Sequence, residues 1–187
     1  FVGSVRGVEE TGSGAHVVFP TPQGYRGEGV FDNFWKLIER WNVSFMITVP
    51  TAISALMQRP VDADISTLKT AFSGSSPLPV ELFKRFEKAT GIEIVEGYGL
   101  TEVTCLVSCN PDQGLKKVGS VGIPLPHTNV KIFLDMANGP EECAANEIGE
   151  ICVESPGVFA GNTYTENAKN KDLYYFDNYL RTGDLGR

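Results

Sequence analysis

The chain has 187 residues, 42% hydrophobic and 21% charged, with a formal net charge of −7. That apolar content excludes a disordered segment, and an acidic chain with scattered basic residues argues against nucleic-acid binding. No apolar run reaches the roughly 18 residues of a membrane-crossing helix, and the four cysteines match neither a disulfide framework nor a zinc spacing, so reduced thiols in a cytoplasmic protein are expected.

Taken in order, the opening Phe1-Val2-Gly3-Ser4 carries no signal-peptide charge pattern and reads as the start of an internal piece of a longer protein. His16–Phe19 reads as a short buried strand. Phe31, Phe34, Trp35 and Ile38 fall at i, i+3, i+4 and i+7, which predicts an amphipathic helix with Asp32 as its N-cap. The apolar run Val43–Val49 predicts a parallel strand buried on both faces. Pro50-Thr51 starts a further helix, and Leu68–Phe72 is a strand candidate. Pro79 and Gly91 punctuate another helix with Val80, Phe83 and Phe86 on its apolar face and Lys84, Arg85 and Lys88 on its solvated one. Ile92–Val95 then reads as a strand.

Strand–helix–strand repetition of this kind predicts a parallel α/β layer with right-handed crossovers. After Leu115 glycines, prolines and turn signals multiply. Val130–Leu134 and Ile148–Val153 read as strands on either side of an Asn138-Gly139 turn, which predicts a small, mostly antiparallel, β-barrel-like subdomain. The expected division is 1–117, α/β, and 118–187, β-rich.

Three segments carry chemistry. Glu96-Gly97-Tyr98-Gly99-Leu100-Thr101-Glu102 follows a predicted strand, and ligands bind where loops leave the carboxyl ends of parallel strands. Gly97 and Gly99 allow a tight turn close to a ligand, Tyr98 offers a flat face, Thr101 a hydroxyl for a phosphate oxygen, and Glu102 the hard oxygen that magnesium prefers. Ser73-Gly74-Ser75-Ser76-Pro77-Leu78-Pro79 lies between a strand and a helix, on the same predicted edge. Tyr179-Leu180-Arg181-Thr182-Gly183-Asp184 sets a carboxylate beyond a turn glycine. Taken singly, each is equally an ordinary turn.

Together and in this order the segments resemble the adenylate-forming superfamily, which includes acyl-CoA synthetases, luciferase and the adenylation domains of peptide synthetases. Gly97–Glu102 matches the family's Gly-Tyr-Gly-x-Thr-Glu signature and Thr182–Asp184 its Thr-Gly-Asp. Gly119–Pro124 resembles its Gly-Ser-Val-Gly-x-Pro link, and Gly149-Glu150-Ile151, followed by Pro156–Phe159, resembles its Gly-Glu-Ile strand and turn. The overall likeness is to acid–CoA ligases of the fatty-acid type.

The resemblance implies a fragment of the large N-terminal domain of an enzyme that uses ATP, magnesium and coenzyme A. A carboxylate would attack the α-phosphorus of ATP, and the coenzyme A thiol would then take the acyl group from the adenylate. Gly74, Ser75 and Ser76 would border the adenine and Tyr98 would stack on it. Thr101 would contact phosphates, Glu102 would hold magnesium, and Asp184 would bind the ribose. Gly97, Gly99, Val121 and Gly122 would wall the acyl tunnel. The phosphate loop is expected before Phe1, and the ribose-clamping Arg and catalytic Lys beyond Arg187. Asn162 and Tyr179 depart from the family's usual Tyr and Trp. Phe31-Asp32-Asn33-Phe34-Trp35 superficially matches an amino-group-reading segment of peptide synthetases, but it follows Gly14-Ala15-His16-Val17-Val18 where the family has it before, which argues against an amino-acid substrate. Two alternatives stand beside the ligase: a catalytically silent nucleotide- or acyl-binding core, and an adenylation domain with another acyl acceptor.

Overall fold

The computed structural model describes residues 14–159, 161, 163–176 and 178–187, so the Asn162 departure lies outside the described residues. They form an α/β layer and an antiparallel, barrel-like sheet, and they divide into two compact units. One unit contains the chain up to Gly97 together with Asn110–Val121; the other contains Tyr98–Cys109 and Gly122–Arg187. The chain passes between units at 97/98, 109/110 and 121/122 where the sequence reading set one boundary at 117/118, because a single strand, β3, begins in one unit and ends in the other.

The first unit is built on β1 (Phe45–Thr48), β2 (Thr70–Ser73) and the start of β3 (Ile94–Leu100). The strands run parallel, with Phe45 opposite Thr70 and Ala71 opposite Ile94. The connections are helical, as parallel pairing requires. Helix α1 (Val30–Trp41) precedes β1, α2 (Pro50–Leu56) follows it, and α3 (Val80–Thr90) joins β2 to β3. The α1 periodicity delivers Phe34, Trp35 and Ile38 to the core, where they meet Ile53, Leu56, Phe83, Phe86 and Ile94. Each large apolar side chain buried this way contributes about 1.5–3 kcal/mol of transfer free energy. Gly91 ends α3 at φ 71, a left-handed cap that costs glycine no Cβ clash.

Four local expectations are corrected. His16–Phe19 is not a strand: residues 15–18 line a cavity of about 350 Å³ whose walls include Tyr25, Phe34 and residues Phe45–Ile47 of β1. For the same reason β1 is not buried on both faces, and Phe45 is largely exposed. Asp32 is not the N-cap of α1, which is Gly29 at φ 71; Asp32 lies in the first turn and accepts the Arg59 Nε at 2.6 Å. Val80 points to solvent, because it is the first residue of α3, while Phe83 and Phe86 carry the buried face.

The second unit holds the end of β3, a 3₁₀ turn at Thr101–Val103, and β4 (Cys105–Cys109) paired antiparallel with β5 (Ile123–Pro124). A five-stranded antiparallel sheet follows: β6 (Asn129–Met136), β7 (Gly139–Glu142), β8 (Gly149–Glu154), β9 (Tyr174–Tyr175) and β10 (Tyr179–Gly186), in the order β7-β6-β8-β10-β9. Alternation along β8 and β10 buries Val153 and Leu180 against Val103 and Val107. On the opposite face Phe133, Cys152, Tyr175 and Tyr179 pack together.

Candidate functional site

In the first unit, the loop after β2 leaves the carboxyl edge of the parallel sheet. Ser73 pairs with Glu96 of β3, so Gly74–Ser76 and Gly97 emerge side by side. A Cβ on Gly74 would stand 3.6 Å from the Gly97 carbonyl oxygen. Ser75 adopts φ 70, and Ser75 and Ser76 are exposed.

Glu96 is the buried charge of this edge, 7% exposed. Its Oε2 accepts the Gly119 amide at 3.3 Å, and its carboxylate also takes the Leu78 amide. One side chain thus ties the Gly74–Leu78 loop and the Gly119 turn to β3. Asn110 completes the tie. Its amide donates to the Glu96 carbonyl at 2.9 Å, its Nδ2 to the Ser120 carbonyl at 2.5 Å, and its Oδ1 accepts the Lys117 amide at 3.1 Å. These bonds fix the turn that carries Val121.

Burial holds the Glu96 carboxyl above its ordinary value of 4.5, although the Gly119 and Leu78 amides oppose the shift. The folded state therefore binds a proton more tightly than the unfolded chain, and stability falls as pH rises from about 4.5 through the raised folded value. Glu96→Gln is expected to flatten that slope, measured as urea unfolding free energy at intervals between pH 4.5 and 7. A mutant slope equal to that of wild type would contradict the assignment.

Gly97-Tyr98-Gly99, which enters the second unit at Tyr98, differs from the expected tight turn, since all three residues belong to β3. The chain reverses only afterwards, through Thr101–Val103 and two left-handed residues, Thr104 at φ 55 and Cys105 at φ 86. Gly99 is needed for another reason than turning: a Cβ there would overlap the Cys105 carbonyl. Tyr98 is half-buried against the Val103–Val107–Val153–Leu180 cluster, and its hydroxyl donates to Asp184 Oδ2 at 2.6 Å. Burial, and then the Asp184 carboxylate, push the phenol far above its usual range, so Tyr98 stays protonated and donates to Asp184.

Asp184 sits on a bulge. Leu180 and Arg181 pair with Val153 and Cys152, and the register resumes only at Leu185 opposite Glu150. Thr182, Gly183 and Asp184 thus face Ile151 alone, with Gly183 at φ 76. Glu102 lies in the 3₁₀ turn, where its Oε1 accepts the Tyr164 hydroxyl at 2.5 Å and its carbonyl the Phe159 amide at 2.9 Å. Thr101 is exposed beside it, and Gly122 has φ 83. Among the described residues no three His, Cys, Asp or Glu gather as a metal cluster. Glu102 is a single, partly buried hard-oxygen donor, which is all that magnesium asks when it keeps several waters.

The structure therefore joins Tyr98 to Asp184 in one unit and sets Gly74 beside Gly97 in the other. Three residues that sequence reasoning gave no role take part. Glu150 and Arg181 hold the bulge, and Tyr164 holds Glu102. Glu150 had a signal, the Gly149-Glu150-Ile151 motif, whereas nothing in the sequence marks Tyr164.

The sequence profile of the AMP-binding enzymes matches residues 11–162. The chain is 36% identical over 179 residues to a marinolic acid–CoA ligase of Pseudoalteromonas sp., covering 94% of this chain and 27% of that protein. It is 36% identical over 153 residues to a long-chain-fatty-acid–CoA ligase of Bacillus subtilis, covering 81% and 27%. Among solved structures, an anthranilate–CoA ligase in complex with anthranoyl-AMP superposes with a TM-score of 0.74 at 26% identity, covering 91% of this chain and 31% of that one. The chain thus spans about a quarter of the curated relatives it matches.

Proposed function

The chain belongs to the AMP-binding enzyme family, and we propose that it is the part of an AMP-forming acid–CoA ligase that handles the nucleotide. The observation that carries the reading is the 2.6 Å bond from Tyr98 to Asp184, between segments 86 residues apart that each suit a nucleoside. Tyr98 offers an aromatic face to adenine, and Asp184 beside it offers a carboxylate to the ribose hydroxyls. Gly74, Ser75 and Ser76 border the adenine. Thr101 donates to phosphate oxygens, and Glu102 holds magnesium, which when bound neutralises charge on the triphosphate. Gly97, Gly99 and Gly122, which have no side chain to fill the space, and the apolar Val121 wall the acyl tunnel.

The substrates under this reading are ATP, a carboxylic acid and coenzyme A. A fatty acid is the acid we favour, supported by the likeness to long-chain-fatty-acid–CoA and marinolic acid–CoA ligases. No helix among the described residues is long and apolar enough to cross a membrane. A cytoplasmic location belongs to the same proposal, supported by the free thiols of Cys105, Cys143 and Cys152.

The test is acid-dependent exchange of labelled pyrophosphate into ATP by the full-length protein carrying this chain, followed by thioester assay with coenzyme A. Exchange and thioester with a fatty acid are expected. Exchange without thioester points to another acyl acceptor, and nucleotide binding without exchange points to a silent binding core; either result overturns the ligase reading.

A further inference from the structure

The Gly149-Glu150-Ile151 segment has no part in the function proposed above, yet its carboxylate is engaged from both sides. Glu150 Oε1 accepts the Gly183 amide at 3.0 Å. Glu150 Oε2 accepts the Arg181 Nε at 3.0 Å, and a second guanidinium nitrogen lies 2.9 Å away. Both nitrogens converge on that one oxygen, and the pair is mostly shielded, with the Glu150 side chain 17% exposed. Arg181 is immobilised in turn, since its guanidinium lies 4.4 Å over the Tyr175 ring and donates to the Asp172 carbonyl at 3.3 Å. Asp135 adds a weaker ion pair at 3.8 Å.

This arrangement answers a backbone problem. Where the β8–β10 register breaks, the bulged residues lose their ladder partners. Side chains replace them: Glu150 takes the Gly183 amide, while the Thr182 hydroxyl takes the Asp184 amide at 3.1 Å and donates to the Ile151 carbonyl at 2.8 Å. Asp184 is the exposed residue that this frame holds out. Because both Glu150 oxygens are used internally, Glu150 is poorly suited to bind a ligand itself.

We infer that Glu150, locked by Arg181, is the positioning residue that fixes the Thr182–Asp184 bulge and so sets how strongly the site prefers a ribonucleotide over its 2′-deoxy analogue. The inference rests on the ribose role proposed for Asp184. A carboxylate held in one place can meet both ribose hydroxyls, whereas a carboxylate on a slack loop gains little from the second.

The experiment measures KM and kcat for ATP and for 2′-deoxy-ATP in pyrophosphate exchange by the full-length protein. Asp184→Ala serves as the reference, and its loss of the preference for ATP is the sign that the ribose reading holds. Glu150→Ala should then shrink the preference by about tenfold, the worth of one charge-assisted hydrogen bond, through KM for ATP rather than kcat. Glu150→Gln has one acceptor oxygen for two donors, the Gly183 amide and Arg181, and should shrink the preference by about threefold, between wild type and Ala. In the Asp184→Ala background, Glu150→Ala should change nothing further in the ratio. Should Glu150→Ala fail to fold, Glu150→Gln decides alone. A wild-type ratio in a folded Glu150 variant overturns the inference while leaving the ribose reading intact. A wild-type ratio in Asp184→Ala overturns both.

Discussion

Replacing Glu102 by Gln in the full-length protein is expected to lower the adenylation rate by on the order of 10²–10³, the usual consequence of removing one preorganised electrostatic stabiliser. The substitution is close to isosteric, and the surroundings allow it. A Gln carbonyl oxygen can still accept the Tyr164 hydroxyl that now sits 2.5 Å from Glu102 Oε1, and the backbone bond from Phe159 to the Glu102 carbonyl is untouched. What is lost is the negative charge. A triphosphate approaching an acidic chain of net charge −7 needs a cation, and Glu102 is the residue we assign to hold it. The loss should therefore be recovered in part by raising magnesium. Thioester formation from supplied acyl-adenylate has no triphosphate to hold and should stay within a few-fold of wild type, because the magnesium-holding role we propose for Glu102 belongs to the first half-reaction alone. The measurement is both half-reactions across a magnesium titration. Equal losses in the two halves, unaffected by magnesium, would mean that Glu102 supports the fold of the 3₁₀ turn and would remove it from the metal.

How much of this could be seen in the sequence depends on the range of the forces involved. The helix over Val30–Trp41 was legible because its stripe of Phe34, Trp35 and Ile38 repeats at the helical period and is buried as that period dictates. The α3 cap was legible because Gly91 takes a conformation that few other residues accept. The site motifs were legible as strings, and their order along the chain carried the family. Their conformation was not. Gly-Tyr-Gly suggests a turn by composition, yet it lies in β3, since strand pairing and the packing of Tyr98 on Val103, Val107, Val153 and Leu180 outweigh the flexibility of two glycines. The pairing of Tyr98 with Asp184 spans 86 residues and has no local signature. Neither has Tyr164, whose backbone is held by both ends of the Asn170 amide, at 2.8 and 2.7 Å. Polar partners of this kind are chosen by the tertiary fold, one at a time, and leave no periodicity behind.

Gly99→Ala should be the most damaging single methyl that can be added to the second unit near the site. Gly99 does not have a positive φ, so the change carries no intrinsic backbone penalty, and propensity in a strand would favour it. The whole effect is steric. The new Cβ would overlap the carbonyl oxygen of Cys105 and crowd the Leu106 Cα, both of them backbone atoms that cannot rotate away. Nor can the opposing segment retreat easily. Thr104 and Cys105 already hold left-handed conformations to make the reversal, and Val107, two residues on, is fully buried in the cluster behind it. We expect a loss of at least about 3 kcal/mol, the upper end of what overpacking costs when side chains can adjust. Gly74→Ala is the matched control. Its Cβ would meet the edge of the Phe72 ring at 3.3 Å, a side chain free to shift by a few tenths of an ångström, so its cost should stay near 1 kcal/mol. Chemical denaturation of the two variants and wild type reads the difference directly. If Gly99→Ala unfolds within about 0.5 kcal/mol of wild type, a range typical of innocuous substitutions, β3 and the Cys105 turn are not in contact, and the frame that presents Tyr98, Thr101 and Glu102 is not the one described here. If it is strongly destabilised while Gly74→Ala is not, the glycine after Tyr98 is required by the fold itself, independently of any ligand.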